Sequence, residues 1–191
     1  PDGETLASES VTVNPPETVA TISDPSGNDA GPGSYTYPTA DAFRDGAFDL
    51  LSVEAAQTPS LARFTFEVDT LYDAFGGRFS PHMFLLWVRD PNASGGATES
   101  LDDLGATVTF DEAWHYRLRV DGFNLDAVDA GGAPITDDAG STISPSPAVD
   151  FDAGTVTLDI DRAAFDGADL SELEIVAAVG SEDFGRLRAV Q

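Results

Sequence analysis

Between Asp24 and Pro38 the chain reads D-P-S-G-N-D-A-G-P-G-S-Y-T-Y-P, and Phe48-Asp49-Leu50 follows a little further on. Three glycines and three prolines within fifteen residues exclude a helix and a central strand, because proline removes a donor and glycine raises the entropy cost of order. The stretch is therefore a loop with fixed bends, and the rest of the chain must supply the scaffold that holds it. It gathers hard oxygen donors at short spacing in Asp24, Ser26, Asn28 and Asp29, with Tyr35 and Tyr37 behind them.

The scaffold is legible as short runs of alternating polarity. In Leu61–Thr70, Phe64, Phe66 and Val68 fall on one side and Arg63, Thr65, Glu67 and Asp69 on the other, the pattern of a half-buried strand. Met83 to Val88, M-F-L-L-W-V, is apolar on both faces and too short for a buried helix, which predicts a central strand. Trp114, Tyr116, Leu118 and Val120 alternate with His115, Arg117, Arg119 and Asp121, and Asp121-Gly122 signals a hairpin into a strand from Phe123 to Val128. Phe48–Ala55, Thr107–Phe110, Thr155–Ile160, Leu173–Val179 and Gly185–Val190 read as further strands, with one helical turn after a capping Asp161. Residues 92–105 and 136–150 read as surface loops. The sum is an all-β chain with little helix, an antiparallel two-sheet β-sandwich.

The opening motif resembles that of the C-terminal domain family of glucodextranase and related secreted amylolytic enzymes. That signature reads roughly Asp-Pro-x-Gly-Asp-Asp-x-Gly-Pro-Gly-x-Tyr-x-Tyr-Pro and then Phe-Asp-Leu. Gly77–His82, the tryptophan-led hairpin Trp114–Phe123 and the closing segment Val176–Val190 match in the family's order, so the resemblance spans about residues 22–190. It implies a DOMON-like or jelly-roll-like sandwich over 22–191 that binds carbohydrate and performs no catalysis, with 1–21 as an extension. Asn28 stands where the family has the first Asp of an Asp-Asp pair, which lowers the charge of any ion site there. The extension holds a possible strand, Thr5–Val13: an edge strand, the remnant of a linker, or an arm donated to a neighbouring domain or second copy.

Charge bears on partners. The 191 residues carry 34 acidic against 9 basic side chains, a net charge of −25, and every basic residue is Arg. That surface repels nucleic acid and anionic lipid headgroups. With 41% hydrophobic residues the chain is nonetheless composed as a folded domain, and concentrated salt screens the self-repulsion, which suits a halophilic source. No apolar run is long enough to span a membrane, and no cysteine is present for disulfides or thiol chemistry. A chain that opens at Pro1 without Met is expected to be a mature product or a piece of a longer secreted or cell-surface protein.

No nucleophile elbow, zinc helix or phosphate loop is present, and among so many carboxylates a chance pair carries no catalytic information. His82 and His115 lie on separate strands, His82 structural and His115 solvated. The acidic loop admits two readings. It is a Ca2+ site, with Asp24, Asn28 and Asp29 joined by Asp49 and Asp183 at family-matched positions, since calcium takes 6–8 oxygen ligands. Or it is a set of turn-forming side chains bonding nearby backbone. For sugar contact the candidate rings are Tyr35, Tyr37 and Trp114. The expected role is an accessory module that holds a secreted protein to a polysaccharide or cell-envelope glycan. The alternative is a structural subunit of a surface layer or filament, assembled through Thr5–Val13.

Overall fold

The computed structural model describes residues 14–29, 37, 39–105, 107–183 and 186–187. Period-two segments become strands because alternation lets one face leave water while the other stays wet. In β3 (Leu61–Val68), Ala62, Phe64, Phe66 and Val68 are buried and the intervening residues are half exposed. β10 (Thr155–Asp161) repeats the pattern, and the two pair antiparallel with Val156 opposite Phe66 and Leu158 opposite Phe64. β2 (Leu50–Gln57) and then β1 (Glu17–Ser23) extend this sheet on one side, and β9 (Ser146–Asp150) closes the other, in the order β1-β2-β3-β10-β9.

The second sheet runs β12-β11-β4-β7-β8. It comprises β4 (His82–Arg89), β7 (Tyr116–Asp121), β8 (Leu125–Asp129), β11 (Glu174–Asp183) and β12 (Arg186–Leu187). Phe84, Leu86, Val88, Leu118 and Val120 on its inner face meet Phe64, Phe66, Val156 and Leu158 of the first sheet in one apolar core. Phe66 and Phe84 cross that interface with ring centroids 5.2 Å apart. The expected all-β sandwich of antiparallel sheets is what the chain forms.

β4 is central, as its two-faced apolar run requires. Met83, Leu85 and Trp87 point away from the main core into a second one with Leu104 and Trp114. The cover over them is a small sheet of β5 (Ala97–Glu99) and β6 (Thr109–Trp114), with a 3₁₀ turn at Asp102–Leu104 between. Residues 92–105 are thus not wholly a surface loop, since they carry β5 and a fully buried Leu104. The same cover changes the fate of Arg117. On alternation it belongs to the wet face, but Asp103 of the turn lies over it and it is 1% exposed.

Three further differences have local causes. β9 lies within the polar stretch 136–150, and it accommodates Pro147 because an edge strand tolerates a residue without an N–H. β1, mostly exposed, lacks an apolar face to announce it. It begins at Glu17, so the last residues of the segment read as an extension already pair with β2, while Thr5–Val13 lies outside the described residues. At Asp121, buried completely, one carboxylate oxygen accepts the N–H groups of Phe123 (2.8 Å) and Asn124 (2.6 Å). The hairpin is therefore a four-residue turn, and the return strand starts at Leu125.

Candidate functional site

At one end of the sandwich the loop after β1, the turns of residues 40–49 and the end of β3 enclose a cleft of about 690 Å³. Its construction explains the sequence motif. The Asp49 carboxylate, 2% exposed, accepts the N–H of Gly27 at 2.7 Å and that of Asn28 at 3.4 Å. In return, Asp29 accepts the N–H of Gly46 at 3.1 Å. Each loop segment thus carries an aspartate that clamps a glycine of the other. Gly27 and Gly46 both have positive φ, +84° and +78°, and a Cβ on Gly46 would strike the Asp69 carboxylate. Asp24 accepts the side-chain amide of Asn28 at 3.2 Å, while its own N–H bonds the Leu51 carbonyl.

Behind the clamp lies a small aromatic cluster of Phe43, Ala47, Phe48 and Tyr72, with Tyr37 packed against it. The Tyr72 hydroxyl donates to the Ala42 carbonyl (2.7 Å) and accepts the Arg44 N–H (3.0 Å), and the Arg44 guanidinium sits 4.3 Å from the ring centroid. Burial pushes the Tyr72 hydroxyl pKa up, against the pull of Arg44, so it stays a neutral strut. Tyr37 donates to the Arg44 carbonyl at 2.6 Å and lies 5.7 Å from Phe48. His82, wholly buried, sits among Phe48, Tyr72 and Phe84, with Nδ1 2.7 Å from the Phe79 carbonyl and Nε2 3.1 Å from that of Thr70. Desolvation lowers its pKa, which makes it a neutral core residue, as its position suggested.

Of the oxygen donors singled out in the sequence, Asp24, Asn28, Asp29 and Asp49 are therefore brought together at the cleft, but as acceptors and donors in the loop's own bonding. Among the described residues no three acidic or histidine side chains converge as metal ligands do. The side chain of Asp183, the fifth member of the calcium set, lies outside the described residues. Tyr37 lines the cleft and Tyr35 lies outside the described residues. Trp114 is 2% exposed, with its indole N–H on the Glu99 carbonyl (3.1 Å), so it offers no open ring face. It does not share a strand with Tyr116 either. The ladder breaks at His115, so β6 and β7 face different cores. His115 itself is half-buried and accepts the Asp90 N–H at 3.2 Å, which corrects its reading as a solvated side chain.

Sequence reasoning passed over Arg44, Gly46, Asp69 and the structural part of Tyr72. Gly46 carried the one available signal, a lone glycine beside F-D-L; the others are ordinary residues until the loops meet. Asp41, Asp45 and Asp69 complete the cleft's acidic rim. The arrangement suits reversible binding of a polyhydroxylated ligand, since carboxylates accept from hydroxyls and Tyr37 and Phe43 offer apolar contact.

No curated protein matches the chain. The model of one protein family, described as the C-terminal, SLH-like binding module of glucodextranase, matches residues 19–191. The match takes in both sheets and every described residue of the clamp, and on that ground the chain belongs to the family of SLH-like C-terminal binding modules of glucodextranase.

Proposed function

We propose that this domain is a non-catalytic accessory module of a secreted or cell-surface protein from a halophile, and that it holds its parent to a polysaccharide or cell-envelope glycan. The binding-module family match over residues 19–191 carries the reading. The clamped cleft, lined by Tyr37, Phe43 and a ring of carboxylates, is the site we assign to the glycan. A net charge of −25 favours neutral polymers over anionic ones.

Affinity electrophoresis through dextran, amylopectin and envelope polysaccharide tests this directly. Retardation by at least one polymer is expected, and Tyr37→Ala together with Asp41→Ala should abolish it without unfolding the domain. Migration unchanged in all three polymers would overturn the reading, and release of reducing sugar by the domain alone would overturn its non-catalytic part.

A second reading, assembly into a surface layer or filament, is favoured by β1. It stands at the sheet's edge, is almost wholly exposed, and among the described residues nothing pairs with its outer side. Concentration-dependent polymers that vanish on removing residues 1–14 would support it, and a monomer at every concentration would dismiss it.

A further inference from the structure

β4 leads into an exposed turn that the cleft does not use. Asp90, Pro91, Asn92 and Ala93 form it, with the Ala93 N–H on the Asp90 carbonyl at 3.1 Å and the Asn92 N–H on the Asp90 carboxylate at 2.8 Å. Proline in second place presets the bend, and residues 93–96 then run exposed to the start of β5. The sequence across the turn is Asn92-Ala93-Ser94, an asparagine two residues before a hydroxyl with no proline between. That spacing is the acceptor motif for N-linked sugar. Three residues by themselves carry little weight; their setting decides.

Asn92 and Ser94 are both exposed, and among the described residues nothing bonds the Asn92 side-chain amide or the Ser94 hydroxyl. Gly95 and Gly96 follow at φ of +93° and +88°, and a Cβ on Gly95 would meet no atom within 4 Å, so a bulky group has room there. The other three asparagines of the chain lack this combination. Asn14 precedes Pro15, which blocks the motif. Asn28 and Asn124 have no hydroxyl two residues on, and their side chains are tied to Asp24 and Asp121. The turn also lies far from the cleft. β4 starts at His82, against Phe48 and Tyr72 behind the clamp, and its eight residues run away from that end over about 23 Å. A sugar chain on Asn92 leaves the cleft uncovered.

We propose that Asn92 is a site of N-glycosylation, where an oligosaccharide carried on a polyisoprenyl phosphate or diphosphate is transferred to Nδ2 during export. The Nδ2–C1 bond forms as the C1–O bond to the lipid phosphate breaks. The lipid phosphate leaves with the bonding pair, and the amide nitrogen gives up one proton. Ser94 is the recognition residue, since its unengaged hydroxyl is the part of the motif a transferase reads beside the amide. The inference rests on the proposed function only in that the protein is exported; glycan binding in the cleft does not enter.

Peptide mass spectrometry on the protein from the cells that naturally make it, fractionated into medium, surface and cytoplasm, tests the site. In exported protein the peptide spanning Asn92 is expected to carry added mass that fragments as a sugar series. Asn92→Gln and Ser94→Ala should each lose it, while Ser94→Thr, which keeps the hydroxyl, should retain it. The exposed turn tolerates all three changes, so far-UV circular dichroism should match that of the natural chain. An Asn92 peptide of unmodified mass in exported protein would overturn the site and leave the proposed function standing. Protein confined to the cytoplasm would overturn export, and the site with it. A sugar series on the same peptide of Asn92→Gln would overturn the assignment to Asn92, and its loss in Ser94→Thr as fully as in Ser94→Ala would overturn the part given to the hydroxyl.

Discussion

Asp49 shows how one side chain acquires its meaning from burial. Its carboxylate is nearly inaccessible and holds two N–H groups of a loop more than twenty residues away. Removing it in Asp49→Ala leaves a part-buried donor at Gly27 without an acceptor, a loss of about 1–3 kcal/mol. Asp29→Ala frees one N–H, that of Gly46, from a half-buried carboxylate, where the buried Asp49 holds two, and should cost less, which paired urea midpoints will show; equal costs would refute the clamp. His82 carries a pH dependence whose sign follows from its lowered pKa. The unfolded chain takes up a proton below the ordinary value of 6.5 while the folded core resists it. Stability is therefore full above that value and falls as pH drops beneath it. Unfolding free energy should decline from pH ~7 to ~5 in the natural chain and stay flatter in His82→Gln, where an amide can still donate to a carbonyl. A flat natural profile would contradict this.

Elements are held in register by arginine forks. Arg63 bonds Asp159 through Nε and Nη2, both at 2.7 Å, tying β3 to β10. Arg117 bonds both oxygens of Asp103 at 2.7 and 2.8 Å and reaches Asp126 at 2.9 Å, so β7 is tied to the 3₁₀ turn and to β8. The Arg117 bond in turn holds the Asp103 pKa below the usual carboxylate range. Lysine has no planar fork for such a site, which is one reason an acidic chain of this kind benefits from arginine. Arg117→Lys is expected to destabilise by about 1–3 kcal/mol, read as a lower urea midpoint; an unchanged midpoint would show the fork to be dispensable. Turns obey the same logic of close approach. Gly154, at φ +69°, would place a Cβ 2.6 Å from the Val68 carbonyl oxygen, whereas Gly76, at +77°, faces open space. Gly76→Ala should therefore cost roughly 1 kcal/mol and Gly154→Ala up to about 3, and the reverse order would sink the steric account.

For the molecule as a whole, charge is the governing quantity. A chain with net charge −25 folds into two sheets whose core is apolar and in which Arg63, Arg89 and Arg117 are engaged in local bonds, so these charges are already spent within the fold. Self-repulsion is then largely a matter of screening, with a Debye length near 10 Å at 0.1 M salt and about 3 Å at 1 M. Melting temperature should rise from low to molar potassium chloride, by about 2–4 °C for each kcal/mol recovered. A melting point insensitive to salt would remove the support for a halophilic setting.

Much of this was decided locally. Phe64, Phe66 and Val68 alternate, so β3 had one buried face; M-F-L-L-W-V has no wet face, so β4 had to be central; Asp161 caps the turn it precedes, accepting the Ala163 N–H at 2.9 Å. Nearest-neighbour periodicity suffices for such cases, because a strand's burial pattern is written in its own residues. Arg117, Trp114 and Asp49 could not be read that way. Their surroundings come from the turn at Asp102–Leu104, the break at His115 and the loop at Gly27, all remote in sequence or out of phase with alternation. Sequence by itself determined the two apolar-faced sheets, the bent acidic loop and the family. Only the tertiary structure decided that the loop's oxygens would hold backbone N–H groups and that the Trp87 indole N–H would find no acceptor among the described residues, since both depend on which distant groups arrive within hydrogen-bonding distance.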